Sequence, residues 1–334
     1  MPRLLVIKTS SMGDLVHCLS AVAEAKHAVP NLSVDWVAEE TFVEIPELYP
    51  GVDRVFPVAF RRWKGRYRDP AVREELSAAI HRFRHVEEPY DLVIDAQGLI
   101  KSAVLSLRSG VARRRRWCFN WSSAREPLAS LAAGQTVHSP PEVHAVERLR
   151  TLFSTALGYE LRHRPVTGHH LAAAMLGTSF KALCSRMGQD PESASRWVLL
   201  VHNTSRPEKL WPEVHWQALG KTMAELGWVP LFPAGNEMER VRARALAETT
   251  GGVALPACSL TEMAAIIQHA QLVVGLDTGL THWAAALGRP TIGVLTGTPS
   301  GRYGLDWAVK SHTIEGDEIF ADRVLAQARR WGLL

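Results

Sequence analysis

The chain alternates between two hydrophobic periods. Short apolar runs at residues 4–7, 34–37, 54–57 and 92–95 are separated by stretches whose apolar positions recur at helical spacing, at 15–28, 71–83, 100–107 and 143–157. Residues 160–195 interrupt this rhythm with "RHRPVTGHH" and a "GQDPESAS" turn, apart from a lead-in helix at 171–187. The alternation then resumes, with strands at 197–202, 229–232, 272–276 and 291–295 and helices at 213–226, 237–248, 260–269 and 279–287. A closing helix is expected at 324–331. Strands interleaved with helices predict parallel sheets covered on both faces, an α/β fold. The interruption divides them into two Rossmann-like domains, 1–165 and 166–334, with the closing helix a candidate to pack back on the first. Ligands are expected in a cleft where strand C-termini meet helix N-termini.

Three strand-to-helix turns carry more polar chemistry than a turn requires. In "VIKTSSMGDLVHC" the first strand is followed by Lys8, Thr9, Ser10, Ser11, Gly13 and Asp14. A turn glycine and a capping carboxylate would account for Gly13 and Asp14, but not for a lysine and three hydroxyls in the same crevice. "VHNTSRPEKLWP" follows a buried strand and offers Thr204, Ser205 and Lys209 to an anion; an ordinary surface loop is the alternative. In "GLDTGLTHWAAALG" an apolar strand ends at Leu276, and Asp277, Thr278 and Gly279 open a helix carrying His282. Backbone N–H groups at such a helix start form a pyrophosphate cradle. A capping Asp277 and a packed His282 are the simpler reading. Glu239, one turn into the helix after "PAGN", could accept hydrogen bonds from ribose hydroxyls or merely be solvated.

Length and composition narrow the class. A chain of 334 residues suits two domains, and 46% hydrophobic residues is the content of a soluble globular protein. The apolar run after Arg3 ends at Lys8, too short for a secretory signal, and no run of about 18 apolar residues could span a bilayer. Cys18, Cys118, Cys184 and Cys258 lack zinc-site spacing and read as reduced thiols of a cytoplasmic protein. A net charge of +4 is mild, but the basic residues cluster. "RVFPVAFRRWKGRYR" (54–68) holds six basic residues and no acid, and "RRRRW" spans 113–117. With Trp63, Tyr67, Trp117 and Trp121 among them, these clusters favour a local anionic ligand over nucleic acid. Neither GxGxxG nor a GxxxxGK[ST] loop occurs, which disfavours a dinucleotide oxidoreductase and a P-loop kinase. The pair in "GHH" (168–170) reads as structural or solvent-exposed.

Taken together, "KTSSMGD", "DWVAEE", "RRWKG", "DAQGLIKSA", "AREPLAS", "HAVER", "KLWPEVHW" and "DTGLTHWAAAL" resemble the lipopolysaccharide heptosyltransferases, glycosyltransferase family 9. The resemblance runs from the N-terminus to about residue 295. It implies a GT-B fold, with the acceptor bound mainly by the N-terminal domain and ADP-L-glycero-β-D-manno-heptose by the C-terminal one. Within the family the motifs are most similar to the members that add the first heptose to Kdo–lipid A. An inverting transfer giving an α-linked heptose is implied, with no cofactor and no essential catalytic metal. No two aspartates stand two apart, so the DxD motif of metal-dependent glycosyltransferases is missing.

Carried over by that resemblance, Asp14 is the candidate general base toward the acceptor hydroxyl, with Lys8, Ser10, Ser11 and Gly13 placing the reacting sugars. Thr204, Ser205 and Lys209 correspond to donor phosphate contacts, and Lys209 would balance charge on the leaving pyrophosphate. Glu239 matches the ribose contact; Asp277, Thr278, Gly279 and His282 match heptose and pyrophosphate contacts. The family often has two threonines where this chain has Thr204-Ser205. Arg61, Arg62, Trp63, Lys64, Lys101 and Arg125 match acceptor positions, suited to Kdo carboxylates and lipid A phosphates. For "RRRRW", a contact with the cytoplasmic leaflet of the inner membrane and a sugar contact both stand open. Another family 9 acceptor, or sugar-nucleotide binding without catalysis, are the competing readings; the latter would not need Asp14 or the basic tract.

Overall fold

In the computed structural model, all residues are described except His169, His170, Thr298 and Asp317, together with the side chains of residues 173–175 and 193. The histidine pair of "GHH" therefore lies outside the described residues. The chain divides into two compact units, Met1–Val166 and Thr167–Leu334.

The first unit holds one six-stranded parallel sheet: β1 (Arg3–Ile7), β2 (Ser33–Glu39), β3 (Arg54–Val58), β4 (Leu92–Asp95), β5 (Arg116–Phe119) and β6 (Gln135–Val137). Their order is β3-β2-β1-β4-β5-β6. The second holds β7 (Trp197–Val201), β8 (Val229–Phe232), β9 (Val253–Ala254), β10 (Leu272–Leu276), β11 (Thr291–Leu295) and β12 (Ser311–Glu315), ordered β12-β11-β10-β7-β8-β9. The central strands β1, β7, β10 and β11 are continuous apolar runs because helices cover both faces of each sheet. Gly275 in β10 lets a helix lie close: a Cβ there would come within 2.2 Å of Thr281 Oγ1 and 2.8 Å of Val201 Cβ.

Four strands escape the sequence pattern. β5 is hidden in "RRRRWCF", and β6, β9 and β12 are short or polar pieces toward the sheet edges. The short helices Glu44–Glu47, Phe60–Trp63 and Ser300–Tyr303 are missed as well, being too brief to show a period. The closing helix, Ala321–Arg330, places Ala321, Val324, Leu325 and Ala328 in the core of the second unit, packed on the helix Glu213–Glu225.

Candidate active site

Each sheet has a switch point, where chain connections leave in opposite directions and a crevice opens beyond the strand C-termini. In the first unit it lies between β1 and β4. Lys8 follows β1, and its buried ammonium stands 3.5 Å from Asp14 Oδ1. Asp14 sits in the first turn of the helix Met12–Ala28, where its Oδ2 accepts the Ser11 N–H at 3.0 Å and the Ser11 hydroxyl at 2.7 Å. It thus serves the cap from inside the helix, with Ser11 at the N-cap position itself. Burial pushes this carboxyl upward, but Lys8, the two Ser11 hydrogen bonds and His17 outweigh burial and hold it at about 2. The side chain is 37% exposed, so an ionised, oriented carboxylate faces outward from the crevice.

Two residues that the sequence reading passed over organise this turn. Gln97 Oε1 accepts the N–H groups of Thr9 at 2.9 Å and Ser10 at 3.1 Å, tying the loop after β4 to the loop after β1. Asp95 in turn accepts from Gln97 N (3.0 Å), Gly98 N (3.2 Å) and Ser102 Oγ (2.9 Å). Gly98, at φ 68°, makes the turn that points both amides at one carboxylate. Burial drives Asp95 up to about 6 despite these donors and Lys8. Their signal was the polar "DAQG" directly after a buried strand beside β1.

The basic tract looks different in space. Arg61 and Lys64 are exposed, with the Arg61 guanidinium 4.7 Å from the Phe42 ring centroid. Its backbone N–H donates to Glu39 Oε1 at 2.9 Å. Arg62 is already engaged, 2.7 Å from Glu75 and 3.2 Å from Glu40, so a run that is acid-free in sequence is partly neutralised by acids from elsewhere. Trp63 corrects the reading more sharply. It is 2% exposed, packed in the core, and its Nε1 donates to Glu75 at 2.7 Å; it anchors the tract rather than offering a ring to the acceptor. Lys101 Nζ stands 5.0 Å from the Phe60 ring centroid. Burial lowers its pKa, with Glu39 and Glu126 opposing and Arg61 and Arg125 adding to the fall, which places these charges in one electrostatic neighbourhood. "RRRRW" is not one patch: Arg116 is buried in β5, Arg113, Arg114 and Arg115 are exposed, and Arg115 stands 3.8 Å from Asp91.

In the second unit the switch point lies between β7 and β10. Asp277 follows β10, where one carboxylate oxygen pairs with Lys209 Nζ at 2.6 Å and the other with His282 Nε2 at 3.0 Å. Burial opposes ionisation, yet His282 and Lys209 hold its carboxyl well below the usual range. Thr278, not Asp277, is the N-cap of the helix Gly279–Ala286. The carboxylate is thus spent on orienting Lys209 and His282. Thr296, at the end of β11, donates to the Lys209 carbonyl at 2.9 Å and steadies that turn from the other side. Thr204 and the exposed Ser205 lie on the loop after β7. Glu239 accepts from Gly235 N at 2.7 Å and Asn236 Nδ2 at 2.8 Å, closing the start of the helix Glu237–Thr250. Among the described residues no group of three His, Cys, Asp or Glu side chains converges in a way that could hold a metal ion.

Two doubly wound parallel sheets in one chain, each with a polar cluster at its switch point, define the GT-B class of group-transferring enzymes. The glycosyltransferase family 9 (heptosyltransferase) model matches residues 80–320. Lipopolysaccharide heptosyltransferase 1 of Escherichia coli K12 is 40% identical over 306 residues, 90% of each chain. The solved structure described as E. coli heptosyltransferase WaaC with ADP superposes with a TM-score of 0.84 at 36% identity, covering 98% of this chain and 99% of that one. The same enzyme with ADP-2-deoxy-2-fluoro heptose gives 0.81 at 35% identity, with the same coverage. The chain belongs to glycosyltransferase family 9, the heptosyltransferases.

Proposed function

We propose that this glycosyltransferase moves L-glycero-D-manno-heptose from ADP-heptose to the Kdo residue of Kdo–lipid A, in assembly of the lipopolysaccharide inner core. The observation that carries the reading is the division of charge between the two switch points. The first presents an ionised carboxylate, Asp14; the second presents a cation, Lys209, oriented by a carboxylate. Likeness to an E. coli heptosyltransferase solved with ADP and with a fluorinated ADP-heptose supports the choice of donor.

In this reading Asp14 takes the proton of the acceptor hydroxyl as that oxygen bonds to the anomeric carbon. The bond from that carbon to the pyrophosphate breaks, ADP leaves with the electron pair, and configuration inverts from β to α. A carboxylate held at about 2 is a weak base at rest, which suits proton removal that lags behind departure of the leaving group. Lys209 balances the charge gathering on the pyrophosphate, without requiring a metal or cofactor. Thr204, Ser205, Thr278 and Gly279 hold phosphate and sugar oxygens, His282 the heptose or pyrophosphate, and Glu239 the ribose, trading its capping contacts for ligand hydroxyls. Ser10, Ser11 and Gly13 shape the acceptor side of the first turn, and Arg61, Lys64, Lys101 and Arg125 attract the acceptor's anionic groups. Among the described residues no helix is long and apolar enough to cross a membrane, and the enzyme works peripherally at the cytoplasmic face of the inner membrane. A transfer assay with ADP-heptose, comparing Kdo–lipid A with an already heptosylated core, tests the reading. Preference for Kdo–lipid A is expected; preference for the heptosylated core would assign a different acceptor.

A further inference from the structure

The helix Ile100–Arg108 starts at the first switch point and buries Ser102, Ala103, Leu105 and Ser106. Its outer face is apolar as well: Ile100, Val104 and Leu107 form one stripe at i, i+4 and i+7. Beside it runs the 3-10 segment Pro127–Ala132. Ala103, Ala129 and Ala132 close the seam between them, and Ile100 N–H donates to Glu126 Oε2 at 2.6 Å, so both segments leave from one point. Three residues per turn bring Leu128 and Leu131 onto a common edge. These five side chains, with Trp121 on the preceding loop, are between 40% and 60% exposed. A face this apolar is costly to leave in water and marks a contact surface.

Charge identifies what it contacts. Between Ile100 and Gly134 the chain carries Lys101, Arg108, four arginines at 113–116 and Arg125, against a single acid, Glu126. The Arg113 turn sits against the end of the leucine-bearing segment: Gly134 N–H donates to the Arg113 carbonyl at 2.9 Å, and Arg113 Nε to the Ala133 carbonyl at 3.3 Å. Arg108, Arg113, Arg114 and Arg125 are exposed, so the leucines are rimmed by cations. A second copy of the chain would bring the same cations face to face, which repels. An anionic lipid surface satisfies both features. Leucines and a tryptophan enter the headgroup–acyl boundary while arginines meet phosphates.

We propose that this face is a docking surface for an anionic phospholipid bilayer. It deepens the functional reading above and rests on it only for the expectation that the acceptor is presented at a membrane. The test is flotation of the whole chain with mixed phosphatidylethanolamine–phosphatidylglycerol vesicles and with phosphatidylcholine vesicles. It includes the variants Leu128→Glu/Leu131→Glu and Arg113→Glu/Arg114→Glu, each checked for folding by circular dichroism, and turnover of a water-soluble, deacylated acceptor is measured in parallel. The native chain should prefer the phosphatidylglycerol vesicles, and rising salt should weaken its binding. Each leucine lost should reduce partitioning roughly tenfold, and the arginine reversals should remove the preference for anionic lipid, with turnover of the deacylated acceptor unchanged. Binding by a native chain that turns over no heptosyl acceptor would still support the docking surface and would count against the activity instead. Partitioning of the leucine variant equal to that of the native chain would overturn the proposal. So would a native dimer that the same variant dissociates, since the occupant would then be a second copy.

Discussion

Asp95 offers a quantitative check on how the first switch point is built. Its carboxyl is 2% exposed and is raised by burial from an ordinary 3.8 to about 6. A difference of roughly two units corresponds to about 3 kcal/mol between the two protonation states. The sign follows from proton counting. Between pH 4 and 6 the native state holds a proton on Asp95 that the unfolded chain has released, so stability is greatest below pH 4. It then falls as pH rises to 6, and is level above. Asp95→Asn removes this titration while keeping the hydrogen bonds. Oδ1 still accepts from Gln97 and Gly98, and the new amide can donate to Ser102 Oγ, whose single proton turns from the carboxylate to the Leu99 carbonyl at 2.8 Å. The asparagine variant should therefore gain about 3 kcal/mol on the native chain between pH 4 and pH 7 in urea unfolding of the first unit, with turnover retained. Asp95→Ala leaves buried donors without a partner, at about 1–3 kcal/mol for each group, and should lose both stability and activity. Parallel pH–stability curves for native and asparagine proteins would refute the assignment of a raised carboxyl.

Other outcomes follow from the same geometry. Lys209→Ala and Asp277→Ala should each weaken use of ADP-heptose with little change toward acceptor, and activity should survive EDTA; complete loss with EDTA restored by magnesium would contradict the metal-independent step. Lys8→Met removes the main cation that lowers Asp14 and leaves burial to raise it. An acid limb absent from the native kcat/KM profile above about pH 3 should then appear near or above pH 4. Arg61→Glu or Lys64→Glu should raise acceptor KM while ADP-heptose KM stays near normal, and unchanged acceptor kinetics would mark the tract as a solvated loop. Trp63→Ala should cost about 3–5 kcal/mol of stability, as loss of a core aromatic does, rather than act as a selective acceptor defect.

The alternating pattern made the central strands legible because β1, β4, β7, β8, β10 and β11 are apolar runs shaped by burial on both faces. β5, β6, β9 and β12 were not legible, since a strand such as β5 opens on arginine and owes its conformation to pairing with β4 rather than to its own composition. Polar excess at the strand ends pointed to Asp14, Lys209 and Asp277 for the same reason: isolated turns do not need such residues. What one-dimensional reading could not supply was partnership across the fold. Arg62 looked unpaired because Glu40 and Glu75 arrive from other segments, and Trp63 looked available because nothing in "RRWKG" tells of the core beneath it. Gln97 and Asp95 were overlooked since their work, holding the neighbouring loop, exists only once β4 lies beside β1.

The most direct test of the account is Asp14→Ala, measured for turnover and for ADP-heptose dissociation in protein shown to be folded. Removal of the proposed general base should lower kcat about 10²- to 10⁴-fold and leave the donor dissociation constant nearly unchanged, because in the proposed mechanism the donor phosphates belong to the cluster around Lys209. Near-normal turnover, or a loss carried entirely by weaker donor binding, would contradict it.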